Sequence, residues 1–229
     1  MKWLLETFVD FCKKQRVNKE VIANWKLWFE AVRLEETGET VKAAALYTKV
    51  GGPWNEFYAA FHTGDPEKAA AALEKLEGVE FGERLSLYLA ATSAGKPSIA
   101  KAQFDKALAI LREGTSEWRG VARMLTAGRA PASEEALAIA LWPTNKRLVL
   151  AALGTVHPEL RKPCFALARK LNYAPGYLRL FLEKYLNTPP PSVVPFGSAL
   201  PPSNRPTSPR YNRVILRSSA SDWGDKTPW

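Results

Sequence analysis

Residues 95–107 read Gly95-Lys96-Pro97-Ser98-Ile99-Ala100-Lys101-Ala102-Gln103-Phe104-Asp105-Lys106-Ala107, which predicts a turn followed by a helix. Glycine suits a turn between two helices because it adopts a positive φ at no steric cost. Ala100 is small enough to let the second helix approach the first closely. Phe104, four residues later on the same face, can fill the gap between neighbouring helices.

The same spacing recurs elsewhere in the chain. Four glycines follow one another at intervals of 26, 31 and 33 residues, namely Gly38, Gly64, Gly95 and Gly128. Five residues after each glycine stands a small residue, namely Ala43, Ala69, Ala100 and Ser133. Nine residues after each stands a larger apolar or aromatic one, namely Tyr47, Leu73, Phe104 and Leu137. A single helical hairpin cannot bury its apolar face, so hairpins repeated in this way are expected to stack.

This register resembles the tetratricopeptide repeat over roughly residues 20–142, with the best matches in residues 38–47, 64–69 and 95–107. The resemblance implies an all-α fold, a right-handed α-solenoid of antiparallel helix pairs. In that family the first helix of each pair lines a concave groove that holds a peptide or a partner helix.

Helical patterns continue on both sides of the repeats. Lys2–Gln15 carries apolar residues on one side and predicts an amphipathic N-terminal cap. Residues 146–153 and 158–172 predict another helix pair, in which Pro158 fits a first turn and Pro163 must lie in a first turn or cause a kink. Residues 176–187 predict a last, capping helix.

The composition changes sharply after Asn187, which divides the chain into a helical domain, residues 1–187, and a tail, residues 188–229. The tail holds nine of the 17 prolines, together with many serines. Such a segment cannot bury enough apolar surface to offset its ordering entropy, so we expect it to be disordered or extended. Its apolar island Tyr211–Leu216 is either a docking motif that adds to a partner sheet or an inert segment.

The net charge of +9 is distributed unevenly. Residues 1–80 carry 11 basic and 13 acidic side chains, residues 81–187 carry 16 and 8, and residues 188–229 carry 5 and 2. The basic part could meet an acidic protein, a nucleic acid or an anionic membrane. Alternatively, it consists of the solvated faces of Lys/Arg-rich helices.

The composition favours a cytoplasmic protein. Cys12 and Cys164 form no CxxC pair, and we expect both to be reduced and buried. No apolar stretch approaches the roughly 20 residues that a membrane-spanning helix needs. Glu6 and Asp10 interrupt the apolar start of the chain, which argues against a secretory signal.

The sequence contains none of the motifs that usually announce an active site, a metal site or a cofactor. It lacks GxSxG, GxGxxG, HExxH and a phosphate-binding P-loop. The adjacent Glu35 and Glu36 are expected to be a solvated helix end. His62 stands near the end of a predicted helix, where a partly positive side chain is favourable, and we expect it to have a structural role.

Large apolar residues stand out instead. The tetratricopeptide register would place six of them along the groove, namely Trp28, Trp54, Tyr58, Phe61, Leu89 and Trp118. Aromatic anchors of this kind suit an extended peptide or a partner helix. Core packing between the helices is the competing interpretation.

These patterns predict a non-catalytic scaffold or adaptor that binds another protein or peptide, without a small-molecule substrate. The alternative is an accessory protein that associates with an anionic membrane or a nucleic acid through its basic C-terminal half and tail. An enzyme with an unfamiliar site is the third hypothesis. Salt dependence separates the first two, because phosphate-driven binding falls steeply with salt.

Overall fold

The computed structural model describes residues 2–128, 143–171 and 176–190, which form eleven α-helices and one 3-10 turn without any β-strand. The helices are α1 Lys2–Lys14, α2 Lys19–Thr37, α3 Thr40–Val50, α4 Pro53–Thr63, α5 Pro66–Leu73, α6 Phe81–Ser93, α7 Pro97–Glu113, α8 Ser116–Ala127, α9 Pro143–Val156, α10 Arg161–Lys170 and α11 Gly176–Asn187. The 3-10 turn, Pro158–Leu160, lies between α9 and α10. The predicted all-α class is confirmed for the residues described.

Several predicted features lie outside these residues. Ser133 and Leu137 of the fourth repeat are among them, as is the tail from residue 191 onward with its Tyr211–Leu216 island. The chain divides into two units, residues 1–196 and 197–229, and the eleven helices described above belong to the first. The domain boundary after Asn187 stays a prediction.

Polar side chains and prolines mark the start of several helices. The side-chain oxygen of Asn18 accepts a hydrogen bond from the Glu20 backbone N–H at 2.9 Å, and Asp65 accepts one from Lys68 at 3.0 Å. These bonds satisfy N–H groups that have no partner within the helix. Four helices, α4, α5, α7 and α9, begin with a proline, whose fixed φ suits this position.

The four predicted turn glycines stand directly after helices or close to their ends. Gly38, Gly64, Gly95 and Gly128 have φ values of +88°, +71°, +66° and +63°, in the left-handed region that favours glycine. After Gly38, the Glu39 N–H donates to the Leu34 carbonyl at 2.8 Å, which is the bond that closes a Schellman motif. Short turns of this kind make α2 and α3, α4 and α5, and α6 and α7 reverse direction against each other.

The small residues of the register lie within the helix contacts. Ala43, Ala69 and Ala100 are completely buried, in the pairs α2–α3, α4–α5 and α6–α7 respectively. The larger residues four positions later are also buried, with at most 5% of their surface exposed, namely Tyr47, Leu73 and Phe104. This arrangement is the one that the spacing predicts for these three helix pairs.

Helix α6 forms the centre of the core. Ten of its 13 residues are buried, which requires cover on more than one side. Helix α7 packs on one side of α6, and α9 packs on another. Helix α9 also packs on α8 and α10. The predicted pair over residues 146–153 and 158–172 corresponds to α9 and, after the 3-10 turn, to α10. Pro163 is the third residue of α10 and therefore lies in its first turn.

The last helix packs back on the first part of the chain. Helix α11 has the predicted bounds, but it contacts α2 as well as α9 and α10. The rings of Tyr177 and Phe181 each lie 5.1 Å from the ring of Phe61 on α4. Arg179 donates a hydrogen bond to the carbonyl of Glu36 at the end of α2. Helix α11 therefore covers α2 and α4, which the prediction of a terminal cap did not include.

Helix α1 packs on α2 through Val9 and Cys12, which are buried with Ile22. Phe11 belongs to the apolar pattern that predicts an amphipathic helix over Lys2–Gln15, but it is 58% exposed, because it lies about a quarter of a turn from Cys12. Both cysteines are buried and unpaired, as expected. None of the described helices has the length and apolar character that crossing a membrane requires.

Candidate functional site

A buried acid–base pair joins α2 to α4. The Glu35 Oε1 and the His62 Nε2 lie 2.6 Å apart, and each side chain is only 4% exposed. The prediction that Glu35 is part of a solvated helix end is therefore wrong, whereas Glu36 is exposed. Glu35 is buried because α4 covers it on one side and the start of α11 on the other.

The start of α11 lies directly against Glu35. A Cβ atom built on Gly176 would stand 2.6 Å from the Glu35 Oε2, so any larger residue there would displace the carboxylate. The N-terminal end of a helix carries a partial positive charge, which favours a carboxylate at this place. Glycine at the first position of α11 thus permits a close approach that is also electrostatically favourable.

Tyr47 completes the surroundings of this pair. Its ring stacks on the His62 imidazole, with 6.2 Å between the ring centres and 9° between the planes. Burial raises the pKa of the Tyr47 hydroxyl, and the charge of Glu35 and a hydrogen bond with it raise the pKa further. The phenol therefore stays protonated, a hydrogen-bond donor beside the carboxylate.

Aromatic rings connect α4 with α11. The ring of Tyr58 lies 5.1 Å from that of Tyr177 and 5.3 Å from that of Tyr47. Trp54 stacks on Tyr58 at 6.1 Å, and Phe61 contacts Tyr177. Ring pairs at these distances stabilise the contact by about 0.5–1.5 kcal/mol each beyond the area that they bury.

A cavity of about 440 Å³ opens beside these rings, between α2, α3, α4, α6, α9 and α11. We call it the acidic aromatic cavity, and the side chains that define it are Trp28, Glu35, Tyr58, Glu83, Asn145 and Tyr177. Its lining, as far as the structure describes it, includes no lysine and no arginine. Rings and carboxylates therefore face the same space, and the basic groups that act on the carboxylates, His62 on Glu35 and Arg84 on Glu83, lie outside this lining.

Glu83 is the less satisfied of the two carboxylates. It stands in the first turn of α6, where it accepts hydrogen bonds from backbone N–H groups. Its Oε2 atom is buried and has no hydrogen-bond partner. Burial raises the pKa of Glu83, and the backbone hydrogen bonds and Arg84 only partly oppose that effect. A donor or a cation in the cavity would relieve this cost.

The two carboxylates also act on the tyrosines. Burial raises the pKa of Tyr58, and the negative charges of Glu83 and Glu35 raise it further. The pKa of Tyr177 is raised well above its usual value by burial, by Glu83 and by Tyr58. Both phenols are therefore neutral near pH 7, and the acidic groups of the lining are Glu35 and Glu83.

The six residues predicted to line a groove lie in different surroundings. Trp28 and Tyr58 line the acidic aromatic cavity, and Trp54 stacks on Tyr58. Phe61 is 7% exposed under Tyr177 and Phe181, and Leu89 is completely buried in the core. Trp118 packs on Phe81, 5.1 Å between the ring centres, and does not line the cavity. Whether any of them binds a partner stays a prediction.

The sequence patterns did not identify Glu83 or Tyr177 as site residues, and they wrongly predicted that the side chain of Glu35 is exposed to solvent. The repeat register identifies residues within each helix pair, but Tyr177 reaches the cavity only because α11 folds back. One local pattern could have indicated a role for Glu83, because a glutamate three residues after the N-cap residue often caps the start of a helix. Within the described residues, no three His, Cys, Asp or Glu side chains form a group that could hold a metal ion.

No family model, no curated protein and no solved structure matches this chain.

Proposed function

We propose that this chain is a non-catalytic scaffold that binds an extended segment of another protein and takes a basic side chain of that segment into the acidic aromatic cavity. The combination of ring faces and carboxylates in one cavity carries the proposal. A cation above an aromatic face gains about 0.5–2 kcal/mol from the ring quadrupole. Carboxylates at the same place add charge attraction and strong hydrogen-bond acceptors.

The state of Glu83 indicates why a basic side chain fits. The buried Oε2 atom lacks a donor, and a guanidinium or an ammonium group would supply one. The volume of about 440 Å³ lies within the range of about 300–1,000 Å³ typical of ligand pockets. Trp28 and Tyr58 are half-buried, so part of each ring is left for a partner.

The proposed scaffold is a right-handed α-solenoid of the tetratricopeptide type over α2–α8. The positive φ values of the turn glycines and the buried alanines of α3, α5 and α7 support this arrangement. Helix α11 covers the part of the face that contains Phe61. The partner is therefore expected to contact Trp28 and Tyr58 at the open cavity, and not Phe61 or Leu89.

A peptide library selected against the full chain tests the proposal. The bound peptides should share an arginine or a lysine at one position, beside apolar residues. Replacing that residue with glutamine should weaken binding about tenfold or more, which corresponds to about 1.4 kcal/mol or more. Selection of peptides without a shared basic residue would contradict the proposed recognition.

Two variants test whether the selected peptide binds in the acidic aromatic cavity. Tyr58→Leu removes a ring, Glu83→Gln removes a charge, and each should weaken the selected peptide about tenfold. Phe11→Leu is the control, because Phe11 is an exposed aromatic residue on α1 and does not line the cavity. Thermal melts of all three variants show whether they fold. Folded cavity variants that bind the peptide as well as the control does would rule out this site.

Association with an anionic surface is the second candidate function. From Arg161 to Leu182 the sequence has five basic residues and no acidic one, and Lys162, Arg169 and Lys170 of α10 are exposed. Binding to anionic vesicles or to nucleic acid through these residues should fall steeply between about 50 and 200 mM salt. Peptide binding at the partly buried groups of the acidic aromatic cavity should depend on salt much less.

A further inference from the structure

A buried arginine without a partner lies on α9, two residues after Asn145 of the acidic aromatic cavity. Arg147, in the second turn of α9, is 5% exposed. Its Nε atom is buried and has no hydrogen-bond partner, and within the described residues no hydrogen bond or ion pair of this side chain is formed. Arginine is almost never buried in this way unless it is paired, because a desolvated charge is costly.

Arg147 lines a cavity of about 220 Å³, separate from the acidic aromatic cavity. The other side chains of its lining come from the last turns of α10 and α11, namely Arg169, Glu183, Leu186 and Asn187. Arg169 is already engaged there: its Nε donates to the Asn187 Oδ1 at 3.1 Å, and its Nη2 donates to the Leu186 carbonyl. These bonds close the end of α11 and leave Arg147 as the unsatisfied donor.

The charges around this cavity favour an anion. Two guanidinium groups and one carboxylate line it, which leaves one positive charge in excess. Burial lowers the pKa of Arg147, and the charge of Glu183 opposes this only in part. Glu183 therefore does not compensate for the loss of hydration of the guanidinium group. Glu183 is exposed and forms no ion pair with Arg147 within 4 Å.

We propose that the cavity between α9, α10 and α11 binds a small oxyanion, a carboxylate or a phosphate group, through Arg147, with Arg169 adding charge attraction. The planar guanidinium offers two parallel N–H donors, a geometry that carboxylate and phosphate oxygens accept in pairs. The ligand supplies the counter-charge that the described protein groups do not. Helix α11 forms one wall of this cavity, so an anion bound there stabilises its packing on α9 and α10.

Thermal unfolding of the full chain in matched ionic strength tests this site. Sodium phosphate and sodium acetate are compared with sodium chloride, so that screening is the same in every sample. A ligand at about ten times its Kd should raise the unfolding midpoint of a chain of this size by roughly 3–6 °C. A response to phosphate alone identifies a tetrahedral oxyanion, and a response to acetate identifies a carboxylate. No response to either salt beyond that of chloride would overturn the proposal.

Substitutions of Arg147 test whether the rise in the unfolding midpoint comes from an anion bound in this cavity. Arg147→Met replaces the charge by an apolar chain of similar length, which should raise the midpoint in chloride and abolish the response to the oxyanion. Arg147→Lys should keep a weaker response, because an ammonium group cannot bind in a bidentate manner. Arg112→Met, an exposed arginine on α7, is the matched control and should respond like the unchanged chain. An equal response in the unchanged chain and both Arg147 variants would show that the anion binds elsewhere.

Discussion

Glu35 and Glu83 face one cavity, but only Glu35 has a side-chain partner. Its contact with His62, which stands 27 positions later in the chain, joins α2 to α4. Breaking a buried pair by removing one member typically costs about 3–5 kcal/mol, because the other group is left without compensation. Glu83 is in that uncompensated state at one of its oxygens in the present structure. A residue in such a state costs stability, and a ligand can recover that cost on binding.

The raised pKa of Glu83 predicts a pH-dependent effect of Glu83→Gln. The folded chain holds the proton of Glu83 to higher pH than the unfolded chain, so stability falls as pH rises from the ordinary value of 4.5 through the raised pKa. Glutamine keeps the capping hydrogen bonds without the charge. The variant should therefore melt at a higher temperature than the unchanged chain near pH 7, and the difference should disappear below about pH 4.

Glu113→Gln is the control for this comparison, since Glu113 is an exposed glutamate at the end of α7. Its melting temperature should follow that of the unchanged chain across the same pH range. A Glu83→Gln variant that is less stable near pH 7, or a difference that does not change with pH, would mean that the Glu83 carboxylate is solvated. In that case a basic partner side chain would have no desolvated charge to compensate.

At the scale of helices, Ala100 is the contact through which α7 approaches α6. It is completely buried, and α6 itself is buried on more than one side, so neither helix can move aside easily. Ala100→Trp should therefore lower the free energy of unfolding by about 1–3 kcal/mol or more, the usual cost of overpacking. Denaturant unfolding measures this change. Ala102→Trp is the control, because Ala102 is exposed on the same helix and has room for the ring.

Equal stability of the two tryptophan variants would mean that the α6–α7 contact does not depend on a small residue at this position. The glycine register would then describe turns but not helix packing. Ile99 and Phe104 would have to hold α7 in place instead, through their contacts with the core.

The sequence was most informative where a physical signal is local. Gly38, Gly64 and Gly95 require positive φ, and the alanines five residues later need close contact, so the helix pairs could be read from spacing alone. The position of α11 depends on contacts with α2 and α4, more than 100 residues away along the chain, and no local pattern encodes it. Glu35 and Tyr177 were missed for the same reason, since α11 creates their environment.

At the scale of the whole molecule, α11 decides how the aromatic face of α4 is used. Without this helix Tyr58 and Phe61 would lose the rings of Tyr177 and Phe181, and Glu35 would lose the helix end that lies against it. An exposed patch of large aromatic residues favours self-association. The acidic aromatic cavity and the Arg147 cavity both use α11 as a wall, so binding at either one is expected to depend on this helix.

Truncation separates the contribution of α11 from that of the tail. A chain that ends at Pro190 retains every described contact, including the hydrogen bond from Arg161 to the Pro190 carbonyl at 3.3 Å. It should show dominant helix by circular dichroism and melt cooperatively, at the temperature of the full chain. A chain that ends at Leu171 lacks α11 and should melt several degrees lower or aggregate, because emptying the sites of buried aromatic side chains costs about 3–5 kcal/mol each. Equal melting of the two truncated chains would show that α11 is not part of the folded core, and both proposed cavities would then lack a wall.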